Sequence, residues 1–310
     1  MKVFYSDQFV LPLPEGHRFP MKKYSMLRER VERDGICEPG ELRVPHPVTD
    51  EEILRAHGAG YLKKVVSGKL TDKEMRRIGF PWTERMVERS RRASGGTLGA
   101  CRAALEEGLA ANLAGGTHHA FADRGEGFCV FNDSAIAPRA LRVEGLVNRV
   151  VVLDTDVHQG NGTAAILRGD PNVFTLSIHG AKNYPFHKEE SDLDVPLPDG
   201  ADDETFLAAL SGALNRVLDS AAWDLAIFIA GADPFEDDKL GRLCVTKEGL
   251  ARRDQLVLQG CRERSIPVAV TMAGGYAKRV EDTVDIHFQT IERAAGILAS
   301  ERGATGRRGQ

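Results

Sequence analysis

The sequence predicts a single α/β domain built on a central, mostly parallel sheet flanked by helices, and three observations carry that expectation. Leu225-Ala226-Ile227-Phe228-Ile229-Ala230 is continuously apolar instead of alternating, the pattern of a strand covered on both faces. Strand-like stretches near 109–114, 149–153, 172–178, 225–230 and 267–273 are interleaved with helical stretches near 203–220 and 246–263, as parallel crossovers require. A chain of 310 residues can also bury a large core as one domain, and no internal repeat or linker divides it.

In chain order, Val3-Phe4-Tyr5 reads as a first strand and residues 21–33 as a helix with Met26 and Leu27 inward. Thr49 should cap the next helix, with Glu52 three residues on completing a capping box. The stretch from Trp82 to Glu107 is expected to be mostly helical, broken at Gly95-Gly96. Asp202-Asp203-Glu204 has the acidic character favoured at a helix N-terminus. Residues 1–300 are expected to form the domain, and 301–310, rich in Gly and Arg, a frayed tail.

Composition narrows the function classes. Net charge is −4, and the basic clusters Arg76-Arg77 and Arg89-Ser90-Arg91-Arg92 read as a solvated helix face, so direct nucleic-acid binding is not expected. Five cysteines lack the paired spacing of a zinc knuckle, and their odd number argues against a disulfide framework, so a reducing cytoplasm is the expected setting. The N-terminal apolar run is too short for a signal peptide, and no segment is long enough to span a membrane.

Chemistry gathers where apolar runs end. After Val150-Val151-Val152-Leu153 come Asp154, Asp156 and His158, at alternate positions and hence on one side of the strand's extension. Carboxylates and an imidazole beyond a buried strand are costly without a partner, and a divalent metal is the partner that suits them. The run ending at Ala230 leads to Gly231-Ala232-Asp233, the one ending at Ala114 to Gly115-Gly116-Thr117-His118-His119, and the one ending at Ala273 to Gly274-Gly275-Tyr276. Each piece alone is ordinary, since an aspartate after a strand is usually a helix cap and Gly-Gly-Tyr a turn. Four of them at strand ends are not, because ligands of open α/β sheets collect beyond the carboxyl ends of the strands.

Asp156, His158 and Asp233 offer three protein ligands and leave a position open, the arrangement of a catalytic zinc site; an oxygen-rich set also admits iron or cobalt. A nearby histidine can take a proton from water and return one to a leaving amine, a task suited to His118 and His119. Other features receive plainer readings. Cys129 is a small core residue, His179 shapes a loop, His57, His187 and His287 lie at the surface or behind the site, and Asp237-Asp238-Lys239 is a solvated loop beside the site.

Gly115-Gly116-Thr117-His118-His119-Ala120, Gly127-Phe128-Cys129-Val130-Phe131-Asn132-Asp133, Asp154-Thr155-Asp156-Val157-His158-Gln159-Gly160-Asn161-Gly162, Gly231-Ala232-Asp233 and Gly274-Gly275-Tyr276 resemble, in order, the signature blocks of the histone deacetylase family. His158-Gln159-Gly160-Asn161-Gly162 and Tyr184-Pro185 resemble the class IV branch and bacterial histone deacetylase-like amidohydrolases. The resemblance implies an arginase/deacetylase-type fold and a zinc-dependent deacylase whose substrate is an acyl-lysine protein or peptide, or alternatively an acetylpolyamine or other acylated small amine. It makes Asp156, His158 and Asp233 the metal ligands, His119 the general base, His118 its electrostatic neighbour oriented by Asp154, and Tyr276 the oxyanion donor. Gly127, Phe128, Tyr184 and Gly275 would face the substrate, and potassium would bind near Asp154, His158 and Ser177.

Asn161 stands where many members have an aspartate behind the second histidine, so the base is expected to be less basic. As some class IV-like members prefer long acyl chains, a medium or long fatty-acyl lysine is expected to be the better substrate. A silent acyl-lysine reader would need none of the proton-transfer groups, and a two-manganese arginase-like site would need carboxylates where Gly160 and Phe235 stand.

Overall fold

A computed structural model describes residues 1–306, the last six by backbone alone. Its strands are β1 (Val3–Phe4), β2 (Leu42–Arg43), β3 (Leu109–Asn112), β4 (Val150–Asp154), β5 (Val173–Gly180), β6 (Leu193–Leu197), β7 (Leu225–Ile229) and β8 (Val268–Thr271). They form one sheet in the order β2-β1-β3-β8-β7-β4-β5-β6, with every pairing parallel. The helices are α1 (Lys22–Arg33), α2 (Asp50–Leu54), α3 (Ala59–Val66), α4 (Asp72–Ile78), α5 (Glu84–Glu107), α6 (Asp133–Val143), α7 (Asn161–Leu167), α8 (Asp203–Leu218), α9 (Lys247–Glu263) and α10 (Val280–Gly306). Of the tail expected over 301–310, residues 307–310 lie outside the described residues.

The unalternating strands have a physical cause in two cores. Val151, Leu153, Ala226 and Phe228 point into one, shared with α1, α8, α9 and α10. Val150, Val152, Leu225, Ile227 and Ile229 point into the other, shared with α2 through α6. Successive side chains leave a strand on opposite faces, so covering both faces demands apolar residues at every position.

Strand order then positions the chemistry. β3, β8, β7 and β4 are consecutive neighbours, and all point the same way. Their carboxyl ends therefore meet on one rim although they lie up to 160 residues apart in sequence as roughly measured along the chain, an arrangement open to parallel sheets with long crossovers.

Two local expectations hold in detail. Thr49 Oγ1 accepts from Glu52 N at 3.2 Å while Glu52 Oε2 accepts from Thr49 N at 2.7 Å, a reciprocal cap on α2. Asp202 Oδ1 accepts from Thr205 N at 3.0 Å and caps α8. The expected break at Gly95-Gly96 does not occur, because α5 runs unbroken through both glycines. They answer to packing instead: a Cβ on Gly95 would lie 1.8 Å from the His46 carbonyl oxygen, and one on Gly96 2.5 Å from Asn112 Oδ1.

Gly95→Ala should consequently lower stability by about 1–3 kcal/mol through overpacking. Gly212→Ala, in α8 with open space around the glycine, should raise it by about 0.5–1 kcal/mol from helix propensity alone. Thermal denaturation of both variants checks the pair; an unchanged Tm for Gly95→Ala would contradict the packing explanation.

Arg76 and Arg77 are exposed on α4 as expected, whereas the arginines at 89, 91 and 92 are tied into packing. Arg91 donates to the Val48 carbonyl at 2.9 Å, Arg92 to the Pro45 carbonyl at 2.7 Å, and the Arg89 guanidinium lies 4.8 Å from the Tyr24 ring centroid. Among the described residues, no helix is long and apolar enough to cross a membrane.

Candidate active site

Beyond β4 and β7, one ligand atom each from Asp156, His158 and Asp233 falls within 4.8 Å of the others, and all three residues are buried. His158 Nδ1 is 2.9 Å from Asp156 Oδ1 and 3.2 Å from Asp233 Oδ2. Asp156 Oδ2 accepts from Gly274 N at 2.8 Å, and Asp233 Oδ1 from Val157 N at 2.9 Å, so the backbone aims both carboxylates. The other oxygen of Asp233 is buried and forms no well-aligned hydrogen bond, with His158 Nδ1 beside it at 3.2 Å. Such an under-satisfied carboxylate oxygen is expensive unless a cation answers it. Burial and the neighbouring Asp156 push the Asp233 carboxyl up to about 6. Against burial, which pulls it down, Asp156 and Asp233 push His158 up to about 10. Protein groups alone thus gather excess negative charge that retains a proton, and the donor set fits a divalent metal.

The loop after β3 brings in the paired histidines. Gly115 and Gly116 take φ of 78° and 67°, and a Cβ on Gly116 would sit 2.5 Å from the Cβ of Ala273 in the loop after β8. Asp133, at the start of α6, grips this loop by accepting from Gly116 N at 2.8 Å and from Thr117 N and Oγ1 at 2.7 Å. His118 Nδ1 lies 2.7 Å from Asp154 Oδ2, and His119 Nδ1 lies 2.7 Å from Asn161 Oδ1.

The two rings, 4.2 Å apart between centroids, are driven in opposite directions. Burial pulls His118 down, yet the Asp154 and Asp156 carboxylates win and push it up to about 9. Burial, followed by the charges of His118 and His158, holds His119 well below the ordinary imidazole range. One imidazole backed by a carboxylate beside one backed by an amide is an arrangement that can separate acid–base roles.

Tyr276 enters from β8 through Gly274, where a Cβ would lie 1.9 Å from Asp233 Oδ2. Burial raises the phenol well above its ordinary pKa, so it stays a donor. Its backbone N–H donates to Asp238 Oδ2 at 2.6 Å, while Asp238 Oδ1 accepts from Leu240 N and Gly241 N at 2.8 and 3.0 Å. The sequence reading put Asp238 in a solvated loop; it is only 8% exposed, because three amides consume its carboxylate. Lys23, at 2% exposure, braces the same loop by donating to the Ala273 and Gly275 carbonyls at 3.1 and 3.4 Å.

These groups stand in a cavity of about 540 Å³ whose walls include Phe19, Tyr24, Gly127, Phe128 and Tyr184. Gly127 allows His119 to approach, since a Cβ there would be 2.6 Å from the ring, and Tyr184 meets the same ring edge-on at 5.0 Å between centroids. Phe186 is 80% exposed and sits at the rim. Gly275 does not line the cavity; a Cβ there would point at Thr283 and His287.

His57, His287 and Cys129 keep the plainer readings, packed behind the site or in the core. His57 is buried as a bridge, with Nδ1 2.9 Å from the Phe121 carbonyl and Nε2 accepting from Asn132 N at 2.8 Å. His287 is buried behind the tyrosine loop. Cys129 is buried, and burial raises its thiol far above the ordinary range, as suits a core residue. Asp154 pairs in register with Ser177 of β5, but the Asp154 carboxylate already accepts from His118 and Asp156 N, and Ser177 Oγ lies 3.0 Å from His179 Nδ1.

Asp133, Asp238, Lys23 and Glu126 escaped prediction as parts of the site. Glu126 Oε1 accepts from Asn161 Nδ2 at 2.9 Å and from Tyr184 OH at 2.7 Å, so a carboxylate does stand behind His119, one hydrogen bond beyond the amide.

Comparison with known proteins agrees with this geometry. Residues 17–291 match the family described as Histone deacetylase domain. An uncharacterized protein of Picosynechococcus is 44% identical, over 94% of this chain and 97% of its own. Histone deacetylase 2 of Arabidopsis thaliana is 28% identical over 94% and 79%, and acetoin utilization protein AcuC of Bacillus subtilis 30% identical over 75% and 65%. The fold matches the crystal structure of a histone deacetylase homolog complexed with SAHA, at a TM-score of 0.82 and 24% identity, over 95% of this chain and 84% of that one. With nearly the whole domain matched in sequence, and four neighbouring strands delivering the blocks that first suggested the relationship, the chain belongs to the histone deacetylase family.

Proposed function

We propose that the protein is a metal-dependent amidohydrolase that removes acyl groups from lysine side chains. The observation that carries this reading is the buried Asp156, His158 and Asp233 cluster beside two histidines, one backed by the Asp154 carboxylate and the other by the Asn161 amide. A divalent metal held by Asp156, His158 and Asp233 would supply Lewis acidity toward the acyl carbonyl and the attacking water. Neutral His119, with Nδ1–H toward Asn161, has Nε2 free to take the water proton. The water oxygen attacks the carbonyl carbon, the C–N bond breaks, and the proton passes to the departing amine. Cationic His118, paired with Asp154, stabilises the charge that develops, and the Tyr276 phenol donates to the carbonyl oxygen as it gains charge.

We propose zinc as the metal, from the one-nitrogen, two-carboxylate ligand set, with iron or cobalt as alternatives that reconstitution separates. Potassium beside Asp154, His158 and Ser177 rests on the family resemblance. The five free cysteines support a reducing, cytoplasmic setting. A second catalytic metal of arginase type would need carboxylates where Gly160 and Phe235 stand.

The cavity walls are aromatic and apolar enough to bury a chain longer than acetyl, at about 0.8 kcal/mol per buried CH₂. On lysine peptides of equal sequence carrying acetyl, butyryl, octanoyl and myristoyl groups, kcat/KM should therefore be higher for a medium or long acyl group. The highest value on acetyl would overturn the chain-length preference, and no turnover of any acyl amide would overturn the hydrolase reading.

A further inference from the structure

The cavity mouth carries charge that the catalytic steps above do not use. Five exposed cations line it: Arg18, Arg77, Lys182, Lys239 and Arg242. The acidic residues in the same lining are the buried ligands Asp156 and Asp233. Among the described residues Arg18, Arg77 and Lys239 pair with no acidic side chain, while Lys182 and Arg242 share Asp199 at 3.9 and 3.2 Å. A chain of net charge −4 thus concentrates positive charge at one opening. That opening repels a polyamine, each of whose free amines is a cation, and attracts anions.

We propose that the substrate is an acylated lysine within an acidic stretch of peptide, a refinement that rests on the deacylase reading. The cations come from separate chain segments around 18, 77, 182 and 239–242, which suits negative groups spread on both sides of the inserted lysine. The test is kcat/KM for peptides sharing one acyl-lysine, flanked by Asp and Glu, by Ser and Gly, or by Lys and Arg, with acetylspermidine and free Nε-acetyl-lysine as small-molecule arms. The acidic peptide should exceed the basic one by about tenfold or more at low salt, with the gap closing as ionic strength shortens the screening length. Lys239→Glu with Arg242→Glu should narrow or invert the order. Equal rates on the three peptides, or a preference for acetylspermidine, would overturn the acidic-peptide assignment while leaving hydrolysis established. Free acetyl-lysine matching the acidic peptide would overturn the peptide in favour of a small anionic amine. Failure on every substrate would overturn the deacylase reading itself.

A separate hydrogen-bond chain carries a second inference. The amide of Asn161 can face His119 with either its oxygen or its nitrogen, and the choice decides which ring nitrogen of His119 bears hydrogen. Glu126 settles it: a carboxylate only accepts, so Asn161 must present Nδ2 to it and Oδ1 to His119 Nδ1. Tyr184 donates to the same Glu126 oxygen, and Arg124 Nε approaches the other at 3.4 Å. We infer that Glu126 is a positioning residue that leaves His119 Nε2 free to accept a proton, given the deacylase reading.

Glu126→Gln should lower kcat about tenfold with KM moving less, part of the usual contribution of a general base. Asn161→Asp alone should also lose activity, since it sets two carboxylates against each other. The double variant Glu126→Gln with Asn161→Asp restores a donor facing an acceptor and should recover to within about threefold of the parent, a coupling that independent structural losses would not show. Nitrogen-15 spectra of labelled histidine, assigned with His119→Ala, should report hydrogen on Nδ1 of the parent. An unchanged kcat for Glu126→Gln, or additive losses in the double variant, would overturn the positioning role; an inactive parent would overturn the function on which it rests.

Discussion

Asp233→Asn should lose metal and activity together. One oxygen of this residue is committed to Val157 N, so the asparagine will keep its own oxygen there and turn its NH₂ toward His158 and the cation position. An amide nitrogen has no available lone pair to give a metal and turns N–H hydrogens of partial positive charge toward it. Metal affinity is expected to fall by more than about a hundredfold, beyond the range typical of outer-sphere substitutions. kcat should fall by about 10³ or more, because three ligands are the minimum that holds an open catalytic site. The fold should survive, since the Val157 bond is kept and the lost oxygen formed no well-aligned hydrogen bond. Elemental analysis, circular dichroism and turnover on one preparation check all three; full occupancy with unchanged turnover would remove Asp233 from the ligand set.

Tyr276→Phe should leave metal content and melting temperature close to the parent while lowering kcat by about 10²–10³, the usual loss for one oxyanion donor. The phenol makes no hydrogen bond to another described residue, and the loop is held by Asp238 and Lys23 through backbone groups that phenylalanine also possesses. Substrate binding should change less, because the ring remains in the aromatic cluster with Phe19 and Phe128. A raised KM with unchanged kcat would make Tyr276 a binding residue.

The strands and the polar groups clustered beyond their ends were legible in the sequence because both signals are local. An apolar run marks a doubly covered strand, and the Asp, His or Tyr that follows it is visible within a few residues. The supporting shell was not legible. Asp133, Asp238, Lys23 and Glu126 work on backbone amides, carbonyls or side chains mostly distant in the chain, and none sits in a spacing that marks a ligand. Lys23 occupies a turn of α1 that reads as surface, yet it reaches carbonyls some 250 positions away. The α5 glycines were misread because close packing and helix breaking select the same residue. β6 was missed because it is a partly exposed edge strand containing Pro196, which a buried strand would exclude.

The most direct test is acyl release from one acyl-lysine peptide by protein stripped with a chelator and by the same protein reloaded with zinc. The stripped protein should be inert, and activity should rise linearly with bound metal to a plateau at about one ion per chain, as expected for a single three-ligand site. Stripped protein that releases acid at the undiminished rate, or fully loaded protein that releases none, would contradict a metal-dependent deacylase.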